Sequence, residues 1–352
     1  MGGVISYSGL VTKVQALNGT LLKYEQYEEL LSQPTFSQAI EYLKTHTNYR
    51  QAFSDMPDAD FHREAVERRL TESLYTDYLK LYRFSSLSTK KFLEIYFVHF
   101  EVLLIKQCLR NVRNLASPDV TLGSFEAFFR RHSHVDLDIM NRADTIAEFM
   151  PALAGSEYEK LLAPIFISGC ENLLDYEVAL DLYYFSRVYK IKDLTLSKRE
   201  QEILRATFGT KIDLLNLQWI YRSRKYYNLE PAVIYSMLIP VGYKLTDAQI
   251  KALVNAQTPE EYDEVFSHTR YAKYVPEDEA GALFGLTDDI LAHIYKVLAR
   301  RNPFSIAPIM KYLYFKEEEI EQLTTILEGI RYSRAPQNLT RFIPAFVKDN
   351  RR

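Results

Sequence analysis

The most informative stretch of the chain lies near its start and reads LLSQPTFSQAIEYLKTHTNY at residues 30–49. An apolar pair and a short polar step precede Thr35, and a helical stretch then leads to a hydroxyl residue and Tyr49. The pattern returns as DIMNRADTIAEFMPALAGSEY at residues 138–158 and as ALVNAQTPEEYDEVFSHTRY at residues 252–271. Its threonines recur at intervals of 110 and 113 residues, at Thr35, Thr145 and Thr258. Since solenoid units measure only about 20–50 residues, we expect a small domain that occurs three times.

Two further helical signatures follow each of these units in the same order. An acid followed by apolar residues at helical spacing opens the second signature, at Glu72, Glu177 and Asp288. The third signature, called the closing signature below, reads EVLLIKQCLR from Glu101, DLLNLQWIYR from Asp213 and EIEQLTTILE from Glu319. Apolar residues three or four apart form one stripe on a helix. The order and spacing predict three homologous helical bundles with approximate bounds 1–118, 119–230 and 231–352.

Composition favours an all-α fold. The chain has 12 glycines in 352 residues, where average usage of about 7% would give roughly twice that number. No sustained period-two alternation bounded by Asn-Gly or Asp-Gly turns appears. Apolar residues make up 47% of the chain, so sizeable cores can form. We therefore predict helical bundles with dense apolar packing.

Several classes of function are disfavoured by charge and motif content. The net charge is −3, from 43 basic and 46 acidic residues, which gives no basic field for nucleic acid. None of the patterns GxxxxGK[ST], GxGxxG, HExxH, CxxC or GxSxG occurs. The longest uncharged run, residues 231–243, has two prolines and is shorter than the roughly 20 residues of a membrane span. Two cysteines, Cys108 and Cys170, indicate a reducing compartment, with Cys108 a small buried residue.

Three local clusters invite a chemical interpretation. In RRHSHVDLD, the residues His132, His134, Asp136 and Asp138 would share one face of a strand and could ligate a cation. On a helix they would spread apart, and a solvated polar segment between helices is the favoured interpretation. His99 with Glu101 could form a general base, although a core histidine fits its aromatic surroundings better. The segment YRSRKYY at residues 221–227 suits either a partner surface or an exposed helix end.

The two ends of the chain carry a family resemblance. The opening VTKVQALNGTLL and the closing IAPIMKYLYFKEEEIEQLTTILEGI, residues 306–330, resemble the C subunit of the prokaryotic A/V-type ATPases, whose eukaryotic relative is the d subunit of the V-ATPase. The closing run fits the family pattern at Pro308, Tyr312, Lys316, Glu317, Glu319, Ile320, Leu323, Ile326 and Gly329. An Arg-Asn pair common in relatives is Glu321-Gln322 here. The LLNL run at residues 214–217 also looks familial.

The resemblance implies a fold and a role. It implies a funnel of three similar helical domains around a pseudo-threefold axis, on the cytoplasmic face of a prokaryotic membrane. The funnel would sit on the ring of proteolipid subunits and receive the central shaft, made by the D and F subunits. It would transmit torque for ion transport without a catalytic site, cofactor, metal, nucleotide, nucleic acid or small-molecule substrate of its own.

Candidate residues for binding the shaft come from the closing signature and from the basic segment, residues 221–227, that overlaps the end of its second copy. Polar residues within otherwise apolar helices are expected to form the socket, and the candidates are Glu101, Asp213, Asn216, Glu319, Gln322, Arg222 and Arg224. The competing interpretation is that the acids simply favour the N-terminal turns of their helices.

Two rival functions come from other classes. A generic helical scaffold unrelated to ATPases would show no association with a proteolipid ring. An enzyme with a site assembled from distant residues would need a deep pocket with strongly perturbed titrating groups.

Overall fold

The computed structural model describes residues 2–54, 63–114, 122–170, 172–275 and 283–348. Nineteen α-helices and several short 3-10 turns lie in these ranges, which contain no strand. The predicted all-α class is therefore confirmed.

The helices are numbered in chain order. Their bounds are α1 Gly2–Asn18, α2 Tyr24–Leu31, α3 Phe36–His46, α4 Arg50–Phe53, α5 Arg63–Phe84, α6 Leu87–Asn114, α7 Glu126–His132, α8 Leu137–Met140, α9 Ile146–Phe149, α10 Glu157–Ile167, α11 Leu173–Thr195, α12 Lys198–Lys225, α13 Pro231–Met237, α14 Asp247–Asn255, α15 Pro259–Ser267, α16 Leu283–Arg301, α17 Ala307–Arg331, α18 Pro336–Leu339 and α19 Ala345–Lys348. The 3-10 turns are Gly123–Phe125, Met150–Leu153, Ala272–Tyr274 and Thr340–Phe342.

The repeated threonine begins a helix in every copy. Thr35, Thr145 and Thr258 are the N-cap residues of α3, α9 and α15, with nearly identical extended backbone angles. Each hydroxyl accepts a hydrogen bond from the backbone N–H three residues later, at 3.2 to 3.3 Å. Such a cap satisfies a helix donor that would otherwise lack a partner and stabilises by about 1 kcal/mol. The sequence pattern therefore marks one local structure that occurs three times.

The closing signatures lie in the three longest helices, α6, α12 and α17, which have 28, 28 and 25 residues. The signature acids are well inside these helices, because the helices begin at Leu87, Lys198 and Ala307. The interpretation of the acids as features of N-terminal turns is therefore wrong, since the helices extend at least twelve residues before them.

The chain divides into two compact units. Residues 1–87, 121–126 and 292–352 form the first unit, and residues 88–120 and 127–291 form the second. In the first unit α17 packs against α1, α3 and α5, so helices from both ends of the chain share one core. In the second unit α12 packs against α11, α13 and α14, and α10 packs against α11. The three sequence domains with bounds near 118 and 230 stay a prediction.

Candidate functional site: three acid–tyrosine clusters

The three signature acids are buried. Glu101 on α6 is 8% exposed, Asp213 on α12 is 1% exposed and Glu319 on α17 is fully buried. Carboxylates are rarely buried unless they are hydrogen-bonded or paired. Their burial therefore requires partners within the chain.

Each acid accepts a hydrogen bond from the tyrosine that ends a Thr–Tyr unit. The hydroxyl of Tyr158 lies 3.0 Å from Glu101 Oε2, and the hydroxyl of Tyr271 lies 2.7 Å from Asp213 Oδ2. The hydroxyl of Tyr49 lies 2.7 Å from Glu319 Oε1. We call these groups the Glu101, Asp213 and Glu319 clusters.

The pairing joins different copies of the repeat. The acid of the first copy binds the tyrosine of the second copy, and the acid of the second binds the tyrosine of the third. The acid of the third copy, Glu319, binds Tyr49 of the first copy, 270 residues earlier. The three contacts thus form a closed cycle along the sequence. In each contact, one closing helix meets the Thr–Tyr unit of the copy that follows it, and the third closing helix meets that of the first copy.

The Glu319 cluster contains a buried ion pair. Lys316 Nζ lies 3.3 Å from Glu319 Oε1 and donates to the Tyr49 hydroxyl at 2.7 Å. The same ammonium lies 4.1 Å from the centroid of the Tyr49 ring. The backbone N–H of Leu22 donates to Glu319 Oε2 at 2.6 Å. Burial and then the Glu319 charge hold the pKa of Tyr49 well above its ordinary value, so this hydroxyl remains a donor.

The Asp213 cluster is built from backbone donors. The N–H groups of Tyr243, Lys244 and Leu245 donate to the carboxylate at 3.2, 2.7 and 3.2 Å. Gly209, one turn before Asp213, allows this segment to approach α12, because a Cβ there would lie 2.7 Å from the Tyr243 Cβ. Burial raises the pKa of Asp213, although these N–H groups and the Tyr271 hydroxyl oppose the rise.

The Glu101 cluster is built from hydroxyls. Ser133 Oγ donates to Glu101 Oε1 at 2.6 Å, and Tyr158 completes the carboxylate's partners. Burial raises the pKa of Glu101, while these two hydrogen bonds and the more distant charges of Arg187 and His134 oppose the rise. The Glu101 carboxylate is thus held by groups that can rotate.

The other predicted socket residues have diverse surroundings. Asn216 is buried on α12 and exchanges two hydrogen bonds of 3.0 Å with the backbone of Ile239. Arg224 donates to the carbonyls of Ala256 and Leu229. Gln322 is half-buried on α17, and Arg222 is exposed on α12.

Hydrogen bonds within the chain satisfy the polar groups of five candidates without any partner protein. These are Glu101, Asp213, Glu319, Asn216 and Arg224. Glu101, Asp213 and Asn216 all lie in the second unit and bind different groups there. The role of all seven residues in shaft binding stays a prediction. Sequence reasoning missed the tyrosines as partners of the acids, although both recur in register.

The His132 segment adopts no strand. Asp136 caps α8 by accepting from the N–H groups of Asp138 and Ile139, and Arg130 binds Asp138 through two nitrogens at 2.8 and 3.0 Å. The His132 ring stacks on Phe128 with centroids 4.1 Å apart. No group of three potential metal ligands comes together within the described ranges.

Two other residues from the sequence analysis are placed in apolar surroundings. Cys108 is 1% exposed on α6, which confirms it as a buried residue, and burial raises the pKa of its thiol to about 12. His99 lies on the same helix against the Tyr184 ring, with centroids 5.1 Å apart. Among the residues that the structure covers, no helix combines the length and apolar character needed to cross a bilayer.

The fold and the three clusters define a class: an all-α protein in which one capped helix and one acid–tyrosine contact occur three times. Comparison with known proteins then gives the family. The model of the ATP synthase (C/AC39) subunit family matches residues 10–342, so the chain belongs to this family. The resemblance seen in the sequence is thereby confirmed.

Individual relatives are distant and nearly full-length. The C subunit of the A-type ATP synthase of Methanosphaera stadtmanae is 24% identical over 93% of this chain and 84% of its own length. The C subunit from Methanocaldococcus jannaschii is also 24% identical, over 95% of this chain and 85% of its own length. That of Thermococcus kodakarensis is 22% identical over 96% and 90%. The similarity therefore covers all three copies of the repeat.

Proposed function

We propose that this chain is a non-catalytic rotor component that couples the central shaft to the membrane ring of a rotary ATP synthase. The observation that carries the proposal is the family match over residues 10–342. In this role the chain would bind the D and F subunits of the shaft on one side and the proteolipid ring on the other. It would act at the cytoplasmic face of a prokaryotic membrane and transmit torque for ion transport.

The architecture supports a mechanical role. A torque coupler needs bodies that do not deform, and close-packed helices have low compressibility. The closing helices bury many apolar side chains, and the acid–tyrosine clusters add directional hydrogen bonds to this packing. The cycle of contacts between copies also lets each copy stabilise the position of the next one. Three similar domains around a pseudo-threefold axis, as in a funnel, would be consistent with this cycle.

The exposed end of α12 supports a partner surface. Tyr226 and Tyr227 are each 65% exposed, and the neighbouring Arg222 and Lys225 are exposed as well. Exposed aromatic and basic residues are enriched at binding hot spots. We propose that Arg222 belongs to the shaft contact, together with the polar residues of the predicted socket.

The test is co-purification with the partner proteins. The chain is co-expressed with the D, F and proteolipid subunits of its host, and each partner is measured after affinity capture. The proposal predicts a stoichiometric complex with the D–F pair and with the ring. A folded chain that captures neither partner would contradict the proposal and would favour a scaffold unrelated to ATPases.

A charge reversal then tests the shaft contact. Arg222→Glu is expected to weaken capture of the D–F pair, while Arg131→Glu, on the exposed end of α7, serves as the matched control. Charge reversal of buried Asp213 or Glu319 would disturb folding first, so these residues cannot serve as a clean test. Equal capture by both arginine variants would remove Arg222 from the contact while leaving the coupling role intact.

A further inference from the structure

The first unit contains a cavity that the proposed coupling role does not use. It has a volume of about 490 Å³ and lies beside the start of α2. Helices α16 and α17 and the residues of α19 form other parts of its wall. Its lining includes Leu22, Lys23, Lys296, Lys311, Phe315 and Phe346.

Lys311 on α17 is the unusual residue of this cavity. Its ammonium lies 5.5 Å from the centroid of the Phe315 ring. Burial lowers the pKa of Lys311, and the positive charge of Lys296 lowers it further. A cation placed partly out of water beside a second cation is electrostatically unfavourable. An anion in the cavity would relieve this cost.

Lys296 is fixed in the cavity wall. Its Nζ donates to the backbone carbonyl of Phe346 at 2.8 Å. Lys23 adds a third positive charge at the exposed rim, and Glu25 supplies one negative charge there. Three of the lining residues are therefore basic and one is acidic. Helix α2 begins at the same wall, so its dipole adds to the positive potential.

A neighbouring part of the cavity wall is apolar. The rings of Phe315 and Phe346 stack with centroids 4.3 Å apart and planes 8° from parallel. Leu22 and Val347 extend this apolar surface. The cavity thus presents cations and an apolar surface to the same ligand.

We propose that this cavity binds a phosphate ester that has a net negative charge and an apolar body. The phosphate would contact Lys311 and Lys296, because lysine binds phosphate as a point charge. The apolar body would lie on Phe315 and Phe346. The volume is in the range of about 300–1,000 Å³ typical of small-molecule sites and exceeds what inorganic phosphate fills. The site is independent of the coupling role, and its loss would leave that role unchanged.

Calorimetric titration of the full chain tests the proposal. Two esters represent the two sources of the ligand: dihexanoylphosphatidylglycerol below its critical micelle concentration for a lipid, and phenyl phosphate for a soluble compound. Saturable binding of at least one ester is expected. Lys311→Met should weaken it at least about tenfold, because a charge-assisted contact is lost while the side-chain volume is kept.

Thermal unfolding separates loss of binding from loss of folding. Without ligand, Lys311→Met should unfold at or above the temperature of the wild type, since a partly buried charge is removed. With ligand, the wild type should gain more thermal stability than Lys311→Met does. Lys251→Met, at an exposed position on α14, is the matched control and should bind as the wild type does.

The outcomes are distinct. Binding of the lipid alone assigns the site to a phospholipid, and binding of phenyl phosphate assigns it to a soluble ester. No saturable binding of either ester would overturn the proposal. Equal binding of dihexanoylphosphatidylcholine or of inorganic phosphate would overturn it too, as would unchanged binding by Lys311→Met.

Discussion

The Glu101 and Asp213 clusters occupy the same place in the repeat, yet they satisfy their carboxylates in different ways. Glu101 is held by the hydroxyls of Ser133 and Tyr158, whereas Asp213 is held by three backbone N–H groups and the hydroxyl of Tyr271. A hydroxyl can rotate and become an acceptor, but a backbone N–H can only donate. Equivalent positions of a repeat can therefore differ in their tolerance of substitution. The Glu319 cluster adds a third case, because it contains the buried cation of Lys316.

The largest effect is expected for Glu319→Gln. This change leaves the Lys316 ammonium buried without its carboxylate and turns an amide toward either Leu22 N–H or Tyr49. Breaking a buried ion pair by removing one partner costs about 3–5 kcal/mol. Urea unfolding of the variant should show a loss of this size.

An exposed pair provides the control for that prediction. Glu41→Gln on α3 removes a partner of Lys44 at the same i, i+3 spacing, where the two side chains are 59% and 30% exposed. A change within about 0.5 kcal/mol is expected there. Similar losses of unfolding free energy in both variants would show that the buried ion pair contributes no more to stability than the exposed pair.

Asp213→Asn is expected to be the next most damaging change. In either orientation of the amide, its NH₂ group faces a backbone N–H donor, so at least one buried donor loses its acceptor. An unsatisfied buried donor costs about 1–3 kcal/mol. The free energy of unfolding should fall by that amount, and Asp138→Asn, in the exposed pair with Arg130, should change it much less.

Glu101→Gln should be tolerated better than Asp213→Asn. The amide oxygen can accept from one hydroxyl, and the other hydroxyl can rotate to accept from the NH₂ group. We expect a loss below about 1 kcal/mol. A loss as large as that of Asp213→Asn in the same denaturation experiment would contradict the distinction between the two clusters.

The smallest effect is a change in pH dependence. Burial raises the native pKa of Glu101 above its ordinary value of 4.5, so the native state binds more protons than the unfolded state just above pH 4.5. The free energy of unfolding contributed by this group therefore falls as the pH rises through the interval between the two pKa values. The difference in unfolding free energy, wild type minus Glu101→Gln, should become more negative across this interval. A difference that does not vary with pH would mean that the native pKa is unshifted.

Sequence reasoning predicted the helical class and the repeat because both depend on local signals. Few glycines, the apolar periodicity of the closing signatures and the recurrence of Thr35, Thr145 and Thr258 are visible in short windows. The threonines are helix caps, which is a local interaction over three residues. The apolar residues of the closing signature, such as Leu323 and Leu327, are buried as their spacing indicates.

The pairing of acids with tyrosines was not predictable in the same way. Glu319 contacts Leu22 and Tyr49, which are 297 and 270 residues away, and local patterns contain no information about such contacts. Acids are usually exposed, so the expectation of a partner-facing socket followed from residue type and not from packing. Each acid also pairs with the tyrosine of another copy of the repeat. An alignment of the copies instead groups each acid with the tyrosine of its own copy.

Double-mutant cycles on Glu101 test most directly whether each closing helix binds the Thr–Tyr unit of the following copy. Glu101→Leu is combined with Tyr158→Phe from the next copy and, separately, with Tyr49→Phe from its own copy. We predict a coupling free energy of about 0.5–3 kcal/mol with Tyr158 and additivity within about 0.5 kcal/mol with Tyr49. Coupling to Tyr49 together with additivity for Tyr158 would contradict this pairing between successive copies.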